Sequence, residues 1–233
     1  MEQTGGQTPY AGNNMTIEAV IFDFDGTILD TESAGTVAWQ QIYTQYGQTL
    51  PMDQWLQNIG RTNVFLPAEH LIDLTGISET PAELREKRRQ LRLEILAEEG
   101  VMPGVLDRIA EAKKLGLKLG IASSSNARWL NYHLPRLGLL FEFEAVRGRS
   151  DVGDVGKPEP DVYLAACEGL RVAPANALAL EDSVNGIIAA KRAGMRTVAV
   201  PNPVTRGMDF GQADLIVDSL AELTLTEMIE QIG

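Results

Sequence analysis

The feature that most constrains this chain is the octapeptide Val20-Ile21-Phe22-Asp23-Phe24-Asp25-Gly26-Thr27. A short apolar run bounded by a turn signal reads as a buried strand. This one delivers two carboxylates, a glycine and a hydroxyl to its C-terminal end, where open α/β sheets place their ligands. Carboxylates this close resist joint ionisation unless a cation or a proton sits between them. Hard oxygen donors of this type suit Mg²⁺, and a carboxylate beside Mg²⁺ is a competent nucleophile toward phosphorus. Asp-Gly pairs also mark ordinary turns, so the octapeptide alone leaves both readings open.

The pattern beyond it alternates. The sequence predicts strands at 18–24, 117–122, 143–146, 177–180, 197–200 and 215–217. It predicts helices from Thr31 to Gly47, Pro103 to Leu115, Asn126 to Leu137 with Pro135 bending or ending it, Pro160 to Gly169, and Val184 to Gly194. Ser219, followed three residues on by Glu222, is expected to cap a C-terminal helix. Strands alternating with helices imply an α/β protein with a doubly wound parallel sheet. Nearly continuous apolar strands imply burial on both faces.

Between about 33 and 100 no strand is predicted. Helices are expected at 52–59, 63–75 and 80–99, the last opened by Thr80, Pro81 and Glu83 in a capping-box pattern. The charged run Arg85 to Arg92 reads as a solvated face with Glu83–Lys87 pairing. The expected organisation is a Rossmann-like catalytic core at 15–32 and 101–233 with an inserted all-helical cap at 33–100. Leaving the core just after the acidic turn, the insert is expected to cover the site as a lid. Residues 1–14, polar and rich in Gly and Gln, read as a disordered leader or an added remnant, with Met15 a candidate natural start.

The formal net charge of −12 argues against nucleic acid or an anionic membrane as a general partner. It does not oppose a small anionic substrate held by a metal and a few local cations. No stretch approaches the length of a membrane span. Cys167 is the only cysteine, which excludes an internal disulfide and reads as a small core residue. The default expectations are a cytoplasmic location and a monomer.

Four predicted strand or loop ends carry polar groups: Asp23 and Asp25; Ser123; Lys157 in Gly-Lys-Pro-Glu-Pro-Asp; and Glu181-Asp182 in Leu-Glu-Asp-Ser. Phosphoryl transfer uses these types together. A carboxylate attacks, an acid protonates the leaving oxygen, a cation and a hydroxyl neutralise the equatorial oxygens, and further carboxylates hold Mg²⁺. Each residue also has a plain structural reading. Ser123 suits a helix N-cap, Lys157 a solvated surface, and Glu181-Asp182 the positive end of a helix dipole.

With these residues in view, the chain resembles the haloacid dehalogenase superfamily, whose motif order is Asp-x-Asp-Gly-Thr, Ser, Lys and an acidic pair. Gly-Lys-Pro-Glu-Pro-Asp and Leu-Glu-Asp-Ser-Val-Asn-Gly are similar to the subgroup of beta-phosphoglucomutase and small sugar-phosphate phosphatases. The resemblance covers about residues 17 to 230 and includes that subgroup's helical cap. It implies Asp23 as nucleophile and Mg²⁺ ligand, and Asp25 as general acid/base with its main-chain carbonyl on the metal. It also implies Asp182 and Glu181 in the metal shell, and Gly26, Thr27, Ser123 and Lys157 around the phosphoryl group. Ser124, Asn126 and Arg61, the last in a cap loop Ile59-Gly60-Arg61-Thr62, are candidate substrate contacts. For Asn126 a cap role is the slightly stronger reading, and Arg61 is balanced against an ordinary surface arginine.

Departures from the family refine the expectation. Dehalogenases lack the second Asp, so Asp25 implies phosphate-ester chemistry. The mutase has His where this chain has Gly35, Lys where it has Ser125-Asn126, and Val where it has Thr27. The expected activity is therefore Mg²⁺-dependent hydrolysis of a small sugar or polyol phosphate through an aspartyl phosphate. A phosphosugar mutase and a non-catalytic phosphometabolite-binding protein are the alternatives. A phosphonate hydrolase is weaker, since Lys87, the only lysine of the insert, lies mid-helix among charges. Trp39 and Trp55 read as packing, Arg147 and Arg149 as a solvated loop, and neither His70 nor His133 receives a role.

Overall fold

The computed structural model of the chain describes residues 16–56 and 65–233. Six parallel strands form its sheet: β1 (Ala19–Phe22), β2 (Lys118–Ser123), β3 (Ala145–Gly148), β4 (Ala177–Glu181), β5 (Arg196–Ala199) and β6 (Leu215–Ile216). Their order is β3-β2-β1-β4-β5-β6. β1, flanked by β2 and β4, is buried throughout. The chain therefore winds out to one edge, returns past β1 and winds to the other, which opens a crevice at the β1 end.

Alternate residues of β1 feed two cores, as a period of two demands. Val20 and Phe22 pack with α5 (Val105–Lys114), α6 (Ala127–Arg136) and α9 (Leu225–Ile232). Ala19 and Ile21 pack with α7 (Asp161–Leu170) and α8 (Val184–Arg192). Helices α1 (Thr31–Gln45), α2 (Met52–Trp55), α3 (Pro67–Thr75) and α4 (Pro81–Glu98) lie between β1 and β2 in sequence. They build a cluster of their own from Trp39, Ile42, Tyr43, Leu50, Trp55, Ala68, Leu71 and Leu84. The Thr80–Glu83 capping box forms as expected. Trp55 donates to Thr36 Oγ1 at 2.9 Å, a packing role. No helix of the described residues is long and apolar enough to cross a membrane.

Four local expectations are corrected. The C-terminal helix starts at Leu225 and is capped by Thr224 with Glu227, not by Ser219 with Glu222. Both pairs have the capping spacing, and the used one places Leu225 and Met228 in the core. Strand β3 begins at Ala145, because Phe143 packs edge-on against Phe22 ahead of the ladder. The 85–92 run is not one solvated face: Lys87 contacts Glu79 and Tyr46, Glu83 caps Thr80, and Arg88 and Arg92 turn inward. Arg147 lies on β3 rather than in a loop.

His133 on α6 is 1 % exposed, lies among Trp129, Tyr132 and Phe24, and leaves its Nε2 buried without a partner among the described residues. Burial, helped by the nearby Arg136, lowers its pKa to about 4. The folded imidazole thus binds its proton later than the unfolded one. Stability from this residue is complete above the unfolded value and is lost as pH falls from about 6.5 toward 4. We expect His133→Phe to remove on the order of 2 kcal/mol of that loss. Urea midpoints of both proteins from pH 7 to pH 4.5 check it: parallel profiles would assign the acid sensitivity elsewhere.

Candidate active site

The C-terminal ends of β1, β2 and β4 converge. Asp23 follows β1 directly, and its amide donates to Leu180 O at 2.9 Å. Gly26 turns the chain with φ 93°, and a Cβ there would run into the Asp182 carboxylate and Asn202, so glycine is required. The Gly26 amide donates to Leu29 O at 2.7 Å. What Gly26 gives the crevice is therefore space, not a free donor. Beside it Thr27 is buried, and its Oγ1 has no partner among the described residues.

Lys157 is no surface lysine. Its side chain is 5 % exposed and its Nζ is paired with both Asp23 and Glu181. Nζ also sits 4.8 Å from the Tyr163 ring centroid. Glu181 anchors it: Oε1 additionally accepts from Tyr163 OH at 2.9 Å, and Oε2 accepts from the Ser183 amide and hydroxyl at 3.1 and 3.0 Å. Ser183, not the acidic pair, is the N-cap of α8. Burial opposes the charge on Lys157, but Asp23 and Glu181 outweigh it and hold its pKa above the ordinary lysine range.

Asp182 is buried and accepts from Asn202 Nδ2 at 2.7 Å. Asn202 is itself fixed by the amides of Val204 and Thr205, and sequence reasoning missed it, since a lone Asn after a strand carries no signal. Oxygens of Asp23, Glu181 and Asp182 lie within 4.8 Å of one another. Burial raises the Asp23 carboxyl pKa well above the usual range, Glu181 and Asp25 adding to it against the pull of Lys157. Asp182 is raised likewise, by burial and then by Asp23 and Glu181. Three buried carboxylates with one lysine among them lack positive charge, and an all-oxygen donor set of this kind fits a hard divalent cation such as Mg²⁺.

Asp25 is gripped from the α6 side. Its Oδ2 accepts from Ser125 Oγ at 2.7 Å and Ser123 Oγ at 3.2 Å, and its Oδ1 from Trp129 Nε1 at 3.0 Å. Ser123 Oγ also accepts from the Ser125 amide at 2.9 Å, so it braces the turn rather than capping α6. The cap of α6 is Asn126, whose Oδ1 accepts from the Trp129 amide at 3.0 Å. Ser124 Oγ accepts from the Lys157 amide at 3.1 Å and so ties the lysine loop to the end of β2. Trp129 was unforeseen as a partner of Asp25, because nothing in sequence places an indole six residues after Ser123 against a given carboxylate. Arg61 lies outside the described residues.

Comparison with known proteins gives a consistent result. A family model described as haloacid dehalogenase-like hydrolase matches residues 17–194. YhcW of Bacillus subtilis (strain 168), which bears a phosphatase name, is 43% identical over 217 residues, covering 93% of this chain and 98% of its own. Hexitol phosphatase B of Escherichia coli (strain K12) is 33% identical over 221 residues, covering 91% of this chain and 97% of its own. Among solved structures, CbbY from Rhodobacter sphaeroides in complex with phosphate matches with TM-score 0.70 at 29% identity. That match covers 91% of this chain and 98% of the other.

Proposed function

The chain belongs to the haloacid dehalogenase-like hydrolase family, and on that premise we propose that it hydrolyses small sugar or polyol phosphate monoesters through an aspartyl phosphate on Asp23. The observation that carries this reading is the pairing of buried Lys157 with Asp23 beneath an Asp25 held in place by Ser123, Ser125 and Trp129. One carboxylate is thereby presented against a fixed cation, and the other is kept at hand for protons.

In the first step an Asp23 carboxylate oxygen forms a bond to phosphorus while the bond from phosphorus to the leaving oxygen breaks. Asp25 gives that oxygen its proton. Lys157, Ser123 and the unpartnered Thr27 hydroxyl meet the charge on the equatorial oxygens. In the second step Asp25 takes a proton from water as the water oxygen bonds to phosphorus, and the bond to Asp23 breaks. Asp23, Asp182 and Glu181, with the Asp25 main-chain carbonyl, would hold Mg²⁺, which supplies charge neutralisation and alignment of the phosphoryl group. Glu181 keeps Lys157 aimed at Asp23 through the bonds described above.

In this reading residues 15–32 and 101–233 form the catalytic core, and 33–100 is a cap whose closure excludes water and selects the leaving group. The enzyme is taken to be cytoplasmic and monomeric. Gly35 supports hydrolysis over mutase chemistry, since it offers no side chain to shuttle a proton to a second acceptor.

The test is phosphate release from a panel of sugar, polyol and glycolate phosphates with Mg²⁺ or EDTA. We expect release with Mg²⁺ and a loss of at least about 100-fold with EDTA, the scale on which removing a charge clamp acts. Absence of release from every ester, with isomerisation of glucose 1-phosphate when a bisphosphate is added, would replace the phosphatase by a mutase.

A further inference from the structure

Helix α4 carries four arginines between residues 85 and 92, and they fall into two sets. Arg85 is paired with Glu69 and Arg89 with Glu86, both on the outside. Arg88 and Arg92, one turn apart and so on one face, turn toward the crevice. The Arg92 guanidinium lies over Trp129, 4.8 Å from the ring centroid, with Nη2 3.9 Å from Asp25 Oδ1. Its Nε donates to Thr31 O at 3.3 Å.

The Arg88 guanidinium fills the space beside Gly35, where a Cβ on residue 35 would collide with Nη2. The Arg88 Nε is buried and has no partner among the described residues. No hydrogen bond joins either guanidinium to a carboxylate of the described residues. Glu32 faces both as the nearby counter-charge, and burial, ahead of the arginines' opposing pull, raises its carboxyl pKa. Burial, then Arg92, push Arg88 down to about 10, which leaves it charged at neutral pH.

Two adjoining guanidiniums with unspent, partly buried donors are unfavourable unless an acceptor completes them. Planar guanidinium donors suit bidentate binding of phosphate or carboxylate. Position decides which part of a ligand is meant. The transferring phosphoryl group belongs to Lys157 and Ser123, whereas Arg92 adjoins Asp25, the group assigned to the leaving oxygen.

The geometry points to a second anion subsite, Arg88 with Arg92, that holds a phosphate or carboxylate carried by the leaving group of the substrate. This rests on the phosphatase reading and names its substrate class: phosphomonoesters bearing a further anionic group. Gly35 belongs to the device, since the absence of its side chain leaves room for Arg88.

The experiment compares esters that differ only in that second group: 2-phosphoglycolate with 2-hydroxyethyl phosphate for the carboxylate, and xylitol 1,5-bisphosphate with xylitol 1-phosphate for the phosphate. The readout is the ratio of kcat/KM within each pair, which cancels general losses of activity. The wild type is expected to favour the anionic member of one pair by roughly 10- to 100-fold, the range of charge-assisted hydrogen bonds. The favoured pair tells carboxylate from phosphate.

Arg88→Gln should bring the ratio to within about threefold, with Arg88→Lys intermediate, because lysine keeps charge but not the planar fork. Gly35→Ala should lower the ratio while leaving thermal stability equal or higher, since alanine is the better helix former. A merely structural Arg88 would not move the ratio.

A wild-type ratio near one in both pairs, or a ratio retained in Arg88→Gln, overturns the subsite. If no ester is hydrolysed, the phosphatase reading fails, and calorimetric binding of the same four esters to the Mg²⁺-loaded protein decides the subsite alone. Preference for an anionic member lost in Arg88→Gln upholds it, and equal or absent binding overturns it.

Discussion

Asp23→Asn is expected to abolish phosphate release, by roughly 10⁴-fold or more as for other removed nucleophiles, while leaving the fold intact. An amide nitrogen or its carbonyl oxygen cannot form the acyl phosphate that the carboxylate forms. The fold survives because Lys157 retains Glu181, and Glu181 retains Tyr163 and Ser183. The substitution also removes one of three buried carboxylates whose burial and crowding raise the pKa values of Asp23 and Asp182.

The metal-free variant should therefore melt at the same temperature as the parent or higher. Mg²⁺ should raise the parent's midpoint more than the variant's, because a ligand stabilises by its affinity for the folded state. Phosphate release and melting scans with and without Mg²⁺ make the test. Substantial turnover in a folded Asp23→Asn protein would move the nucleophile to another residue.

How much of this was legible in the sequence depends on how local the cause was. The β1 turn is written in eight consecutive residues, and its carboxylates, glycine and hydroxyl lie where the strand ends. The parallel sheet follows from alternating apolar runs and helices, and the Thr80 capping box from spacing alone. Lys157, Ser123 and Glu181-Asp182 were legible as types in an order, but their plain alternatives fell only when the strands brought them together.

What the sequence withheld is tertiary. Whether Arg88 and Arg92 face water or turn toward Gly35 and Asp25 depends on how α4 rests on α1, which a run of charges does not encode. Trp129 and Asn202 act on Asp25 and Asp182 across 104 and 20 residues of chain. The choice between Ser219 and Thr224 as a cap is tertiary too: Leu220 and Leu225 both reach the core, but Arg108 of α5 takes the carbonyls of Leu220 and Leu223, and the helix starts only beyond them.

Asp25→Asn is expected to separate the two halves of the reaction. The geometry admits the swap: an Asn oxygen accepts from Trp129 Nε1, and its amide nitrogen faces the Ser125 and Ser123 hydroxyls, which rotate to accept. The side chain keeps its place and loses its proton. General acid–base groups contribute about 10²- to 10⁴-fold, so hydrolysis of an alkyl phosphate should fall by roughly 10³-fold.

A p-nitrophenyl ester behaves differently, because its leaving oxygen departs without a proton. Its first step should continue, and its second, in which water must be deprotonated, should stall. Rapid mixing should then show a burst of nitrophenolate equal to the enzyme present, followed by a slow steady rate. Alkyl esters should show no burst. Equal losses on both esters with no burst would mean that Asp25 positions neighbours rather than moves protons. The acid/base assignment would then pass to another group within hydrogen-bond reach of the leaving oxygen.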